Sequence, residues 1–288
     1  MSTELLDRNE ARIHSHISQA HGHRTAVDLV PLGRDGPSIC RLGIGTGTEG
    51  GAVQRALGTE GFNRLIRHAY DRGITFIDTA DMYETHTYIR DAVKGLPREN
   101  LWIQTKMRWD NPAPPERPLE VLDRFLTELD MDYVDSLLIH CATIEDWDEQ
   151  LKPMMDAFAE AKARKLIRLH GISCHGLPAL RNAIDCNWVE VQLARVNPLG
   201  RHIDGADGTW DEPGLVPEAM QAIQAMHQAG RGVIGMKLVG GGHFRSAEDR
   251  ERSAQYAMKC GFVDSVVVGF ASPSEIDETI DRLNRALG

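Results

Sequence analysis

The sequence predicts an α/β fold, a (β/α)8 barrel of the TIM type, on three observations. Eight short β-branched or apolar runs recur along the chain, the first starting at residue 41 and the last at 264, a mean step of about 32 residues, the size of one strand–helix–strand unit. Helix-period patterns fill the gaps between them. The length, 288 residues, suits one α/β barrel domain. No linker, low-complexity tract or internal repeat divides the chain, so residues 26–288 read as a single barrel domain behind an N-terminal arm, 1–25.

The arm is polar and carries His14, His16, His21 and His23. Two H-x-H pairs are a possible metal grip, but no cysteine or further histidine cluster completes a site, so the arm reads as solvated and no metal is expected. Residues 26–40, AVDLVPLGRDGPSIC, place two apolar runs around a Gly-Arg-Asp-Gly turn signal. They predict a hairpin that closes the barrel bottom. The strand runs follow at 41–45, 74–78, 101–106, 134–140, 166–172, 188–193, 232–237 and 264–269. In the first long helix Phe62, Leu65, Ile66, Ala69 and Tyr70 share a face, with Thr59 as its expected N-cap and Gly73 as its stop. The last helix starts from Ser272, with Pro273 at its first position and Glu275 three residues past the cap, and buries Ile276, Ile280, Leu283 and Leu287.

Composition narrows the function classes. With 42% hydrophobic and 26% charged residues the chain is an ordinary globular one, neither disordered nor coiled coil. A net charge of −10 disfavours a general nucleic-acid binder, whose affinity comes from cations on phosphates. No apolar run approaches the roughly 20 residues that cross a bilayer, and the N-terminus lacks a signal pattern. Cys40, Cys141, Cys174, Cys186 and Cys260 show no C-x-x-C spacing, so neither a disulfide framework nor a zinc site is indicated. A cytoplasmic protein with reduced thiols, without membrane or nucleic-acid partners, is expected. Nothing in the sequence sets the oligomeric state.

Chemistry is sought where barrel strands end. The second strand ends at Asp78, with Tyr83 five residues on; the third ends at Lys106 and the fourth at His140. A buried lysine beside a tyrosine favours the phenolate, and an aspartate holds the lysine charged and oriented. A phenol so tuned can protonate an alkoxide as it forms. Rim salt bridges are the plainer alternative for Asp78 and Lys106. Gly45-Thr-Gly47-Thr-Glu-Gly50 is a literal G-x-G-x-x-G after a strand, but Asp78 lies 28 residues past Gly50, further than a dinucleotide-binding Rossmann unit expects. The loop instead reads as a wall of the substrate pocket.

FIDTADMY, QTK and DYVDSLLIH resemble the second-, third- and fourth-strand motifs of the aldo-keto reductases, and the likeness runs from about residue 28 to 287. The resemblance implies a catalytic tetrad of Asp78, Tyr83, Lys106 and His140. It implies reversible hydride transfer between NAD(P)H and the carbonyl of a small aldehyde, ketone or sugar, with Tyr83 as general acid and His140 orienting the carbonyl or helping to move the proton. For the cofactor it implies Ser173 and Gln192 on the carboxamide, although Cys174 stands where the family usually has Asn. Met236 stands where a tyrosine usually stacks on the nicotinamide, and Lys237 is next to it, toward the pyrophosphate. The segment from Gly269 resembles the adenosine site, with Glu278 at the adenine position. Ala271 and Glu275 occupy positions that usually hold a 2′-phosphate, so the chain leans to NAD(H) unless Arg245 compensates. The resemblance also leaves open a redox-sensing or regulatory subunit with little turnover, and an enzyme that retains its cofactor while oxidising and re-reducing a sugar. Trp109 and Trp210 are candidate pocket walls, and His175 reads as a surface residue.

Overall fold

The computed structural model describes residues 23–109, 114–209 and 212–288. His14, His16, His21 and Trp210 lie outside the described residues.

The hairpin forms first, as β1 (Leu29–Pro31) antiparallel to β2 (Ser38–Cys40). Eight parallel strands then close into a barrel: β3 (Leu42–Gly45), β4 (Phe76–Asp78), β5 (Trp102–Arg108), β6 (Val134–Ala142), β7 (Ile167–Cys174), β8 (Val191–Arg195), β9 (Gly232–Met236) and β10 (Ser265–Gly269). Each pairs with its sequence neighbour, and β10 returns to β3. Helices cover the outside. They are α1 (Ala52–Arg55), α2 (Gly58–Asp71), α3 (His86–Val93), α4 (Pro118–Leu129), α5 (Trp147–Gln150), α6 (Lys152–Ala163), α7 (Leu177–Asp185), α8 (Val216–Gln228), α9 (Ala247–Lys259) and α10 (Pro273–Leu287).

The pleat sorts side chains into two cores. Inward Phe76, Trp102, Leu138, Val191, Leu193, Ile234 and Val267 fill the lower lumen, and Leu32, Ile39 and Cys40 from the hairpin pack against them. The hairpin therefore plugs the bottom. It is tied there by the Asp264 carboxylate, which accepts the backbone N–H groups of Gly33 at 3.0 Å and Val233 at 2.8 Å. Gly43 faces the lumen and leaves room for Phe76, since a Cβ there would sit 2.2 Å from the ring. The outer core is built from helix stripes such as Phe62, Leu65, Ile66 and Ala69 of α2.

Two terminal details differ from the sequence reading. Helix α2 begins at Gly58 from Leu57 without a side-chain cap, so Thr59 is inside it. Ser272 takes the N-cap position of α10 but makes no cap bond; Glu275 reaches back to the Ala271 N–H at 2.8 Å instead. A longer carboxylate side chain reaches that donor and places negative charge at the positive helix end.

Leu32 is only 3% exposed beneath the lumen. Leu32→Ala should cost about 2–5 kcal/mol, the range for deleting a buried leucine side chain, read as a shift of the urea midpoint. A loss below about 1 kcal/mol would show that the hairpin does not close the barrel core.

Candidate active site

The upper lumen is polar, and its order follows from strand register. Asp78 pairs with Gln104 across β4 and β5, and Gln104 with Ser136 across β5 and β6. Trp102 Nε1–H donates to Ser136 Oγ at 3.2 Å, Ser136 Oγ–H to Gln104 Oε1 at 2.9 Å, and Gln104 Nε2–H to Asp78 Oδ1 at 2.8 Å. Lys106 Nζ completes the chain, 2.7 and 2.8 Å from the two Asp78 oxygens and 2.8 Å from the Thr79 carbonyl. Lysine and carboxylate are almost fully buried, so each needs the other to offset lost hydration.

Tyr83 ends a short 3-10 turn, Asp81–Tyr83, that follows β4. Its Oη lies 3.4 Å from His140 Nε2, the two rings meet edge to face, and Lys106 Nζ sits 5.0 Å from the Tyr83 ring centroid. The four residues expected at the strand ends thus share one centre. Burial, however, outweighs the lysine, so the net shift of the phenol is upward. The lysine faces the ring rather than the hydroxyl, and its charge is matched by Asp78. Burial pushes the Tyr83 hydroxyl well above the ordinary tyrosine range, and the Asp78 carboxylate and Cys141 thiol add to the rise. Tyr83 is therefore a protonated acid at neutral pH. His140 is held well below the ordinary histidine range, by burial first and then by Lys106, Arg108 and Lys237, so it is a neutral imidazole. Its Nδ1 is buried and makes no hydrogen bond among the described residues.

The first βα loop sets the tyrosine. A Cβ on Gly47 would lie 2.4 Å from two ring carbons of Tyr83, and one on Gly51, where φ is +88°, would lie 2.4 Å from the Tyr83 carbonyl. Arg55 bridges both pieces, donating to the carbonyls of Gly50 and Tyr83. Gly47 of the G-x-G-x-x-G run and Gly51 just after it thus allow close approach to Tyr83.

A groove of about 870 Å³ opens beside Tyr83 and runs between the loops after β3, β9 and β10. Gly45, Gly47, Met236, Lys237, Gly269, Glu275 and Glu278 line it, as do Ala271 and Arg245. It is within the size range of ligand cavities, and glycines keep its floor open, since a Cβ on Gly269 would strike Thr48 Oγ1 at 2.1 Å. Lys237 adopts φ +65°; burial and the charge of Arg195 lower its ammonium to about 8. Glu278 is held by Arg250 and Arg282, at 2.8 and 2.6 Å. Arg250, which the sequence reading missed, also lines the groove, but its Nη1 donates to the carbonyls of Phe244 and Arg245.

Ser173 points into the lumen with Leu169 and Gly171, and its Oγ is 3.5 Å from His175 Nε2. Gln192 corrects the sequence reading. Strand β8 runs to Arg195 rather than stopping near 193, and alternation sends Val191 and Leu193 inward. Gln192 turns outward, where its Oε1 accepts from Cys174 Sγ at 3.6 Å and its Nε2 donates to the Leu193 carbonyl. Arg195 takes the inward end of the strand. The alternation around Val191 and Leu193 was the available signal for it. His175 also differs from expectation. It is half-buried against Cys141 Sγ at 3.7 Å, and burial with the charges of Arg195, His140, Lys237 and Lys106 keeps it neutral. Trp109 packs at the same rim, its Nε1–H donating to the Cys141 carbonyl at 3.2 Å. Among the described residues no cluster of three metal-ligating side chains occurs, and no helix is long and apolar enough to cross a membrane.

The aldo/keto reductase family model matches residues 41–260. A relative from Glycine max, described as an aldo-keto reductase, is 27% identical over 217 residues, 63% of this chain and 62% of its own. A methylglyoxal reductase of Escherichia coli is 33% identical over 121 residues, 41% of this chain and 45% of its own. Across the first three curated relatives the match spans 37–62% of their length, about half. Among solved structures, the holo form of an aldo-keto reductase from Bacillus halodurans superposes with a TM-score of 0.70 at 18% identity, covering 92% of this chain and 95% of that one. A thermostable aldo-keto reductase bound to the inhibitor epalrestat gives 0.67 at 22% identity, covering 91% of this chain and all of the other. At these identities the likeness concerns the fold.

Gly47→Ala should cut turnover at least about tenfold, because a displacement near 1 Å at a reacting group can cost 10²-fold, while the thermal midpoint stays within a few degrees. Near-normal rates in the alanine variant would show that Gly47 does not hold the Tyr83 ring in place.

Proposed function

The chain belongs to the aldo/keto reductase family, and from that premise we propose that it is a nicotinamide-dependent oxidoreductase acting on the carbonyl of a small aldehyde, ketone or sugar. One observation carries the reading: a protonated tyrosine, a neutral histidine and a charge-matched lysine meet at the mouth of a glycine-floored groove.

The groove suits a dinucleotide, with Met236 and Lys237 at the end near Tyr83 and Glu275 and Glu278 at the far end. Ser173 stays a candidate for the carboxamide; Gln192 does not, since its side chain faces outward. When bound, the nicotinamide supplies the hydride that the carbonyl carbon receives. Tyr83 Oη–H gives its proton to the carbonyl oxygen as negative charge develops there. A raised tyrosine pKa keeps that proton available at neutral pH. His140 Nε2, 3.4 Å from Tyr83 Oη, can hydrogen-bond the same carbonyl oxygen without bringing a charge. Lys106 stabilises the phenolate left behind, and water then restores its proton.

Tyr83→Phe should lower kcat by about 10²–10⁴-fold, the usual share of general acid catalysis, with cofactor affinity retained. Retention of more than about a third of the rate in a chemistry-limited assay rejects Tyr83 as the acid.

We further propose a preference for NAD(H). Glu275 is fixed at the groove by the Ala271 N–H, and Arg250 is engaged by Glu278 and two carbonyls. A 2′-phosphate would meet the Glu275 carboxylate with Arg245 as its main counter-charge. Two unit charges 4 Å apart interact by about 4 kcal/mol at an effective dielectric of 20, and solvent at a rim reduces this to about a tenfold to hundredfold preference. Dissociation constants for NADH and NADPH from fluorescence quenching should differ in that sense. Tighter NADPH binding that weakens in Arg245→Ala reverses the assignment.

A further inference from the structure

The tetrad does not account for the end of β8. Arg195 faces the lumen and is 1% exposed. Its Nε lies 3.7 Å from Oδ1 of Asp204, a fully buried carboxylate on the loop that follows the strand. That contact is long for a charge-assisted hydrogen bond. Oδ1 also accepts the Gly176 N–H at 2.8 Å, and Asp204 Oδ2 makes no hydrogen bond among the described residues. Burial pushes the Asp204 carboxyl up to about 6.

The surroundings are cationic. The Cys141 thiol is within electrostatic reach of Lys106, Arg195, Lys237 and Arg108, which come from the ends of β5, β8 and β9. His175 feels the charges of Arg195 and His140. Arg195 also pairs in register with Met236, at the near end of the groove.

We propose that Arg195 is the seat for a carboxylate on the substrate, so that the carbonyl compounds this enzyme prefers are oxo acids. Asp204 lies in that seat here. A carboxylate already lies beside this guanidinium, and a substrate carboxylate that displaced it would leave the charge there unchanged. A neutral substrate offers no such exchange. Arginine suits the task because its planar fork stays charged and can take both oxygens of a carboxylate. The proposal rests on the oxidoreductase reading above.

The test compares 4-formylbenzoate with its uncharged methyl ester. Binding is measured by calorimetry to the protein saturated with oxidised cofactor, where no aldehyde can be reduced. The acid should bind at least about tenfold tighter, the ratio should fall to about one in Arg195→Met and recover partly in Arg195→Lys, as a charge-assisted bidentate contact requires. Asp204→Asn, which removes the competing charge, should raise the ratio. Equal binding of acid and ester by the unaltered protein overturns the seat, as does an acid preference that survives Arg195→Met. The unaltered protein and Asp204→Asn decide the matter if Arg195→Met does not fold. Turnover with reduced cofactor is scored separately. Equal reduction of both aldehydes sinks the seat and leaves hydride transfer standing. Preferential binding of the acid with no reduction of either does the reverse.

Discussion

The buried pair of Lys106 and Asp78 is the constraint on which the rest of the site depends. An ammonium at 1% exposure is tolerable only with a charged partner and hydrogen bonds for its remaining protons. Breaking such a pair typically costs about 3–5 kcal/mol, because the survivor is left uncompensated. Parallel register supplies what is needed. Strands β4 and β5 bring Asp78 beside Gln104, one inward position below Lys106, while the backbone turning away from β4 presents the Thr79 carbonyl. The lumen is then forced into two levels. Below the pair the interior is mainly apolar and sealed by the hairpin; above it His140, Ser173 and Arg195 bring polar groups inward, with Met236 beside them.

That division explains the protonation states at the mouth. A lysine free to approach the phenol oxygen would draw out its proton. One fixed on Asp78 and turned to the ring face does not, so burial decides and Tyr83 keeps its hydrogen. Burial, with the cations around it, keeps His140 from acquiring a charge of its own. The centre thus pairs a protonated phenol with a neutral imidazole, inside a protein whose net charge is −10. Local arrangement, not overall charge, sets the field at the mouth.

Much of this was legible in the sequence because it depends on period and spacing. Eight apolar runs at regular steps marked the barrel strands, and Asp78, Lys106 and His140 stood out as ionisable residues closing apolar runs. What was not legible depends on one-residue register or on chain crossings. Gln192 was placed on the carboxamide by resemblance, and the alternation that puts Val191 and Leu193 in the lumen turns it outward; ending the run at 193 also left Arg195 in a loop. His175 follows a strand end and offered no periodicity to test. Arg250 sits on α9, remote in sequence from Glu278, and only the packing of α9 on α10 brings the two together. The glycines of the first loop resembled a phosphate cradle because close backbone approach and phosphate binding select the same residue; at Gly47 the Tyr83 ring occupies the space that a Cβ would need.

The division of labour around the barrel follows from the same geometry. Loops after β3, β9 and β10 form the groove, while Lys106, Arg108, His140, His175 and Arg195 come from the ends of β5 to β8. The two halves meet at β8 and β9, where Arg195 pairs in register with Met236. A substrate anchored at Arg195 and a nicotinamide beside Met236 would therefore be held by adjacent strands of one rigid sheet, not by two independent loops. Strand spacing is about 4.8 Å, so their separation is set by backbone hydrogen bonds that neither ligand needs to form. Precision of this kind matters most for hydride transfer, where donor and acceptor carbons must approach closely with no atom between them. Lys237, one residue beyond Met236 and electrostatically coupled to Arg195, sits at the junction of the two halves. Its charge makes that junction favourable to anions, whether they arrive along the groove or from the side of β8.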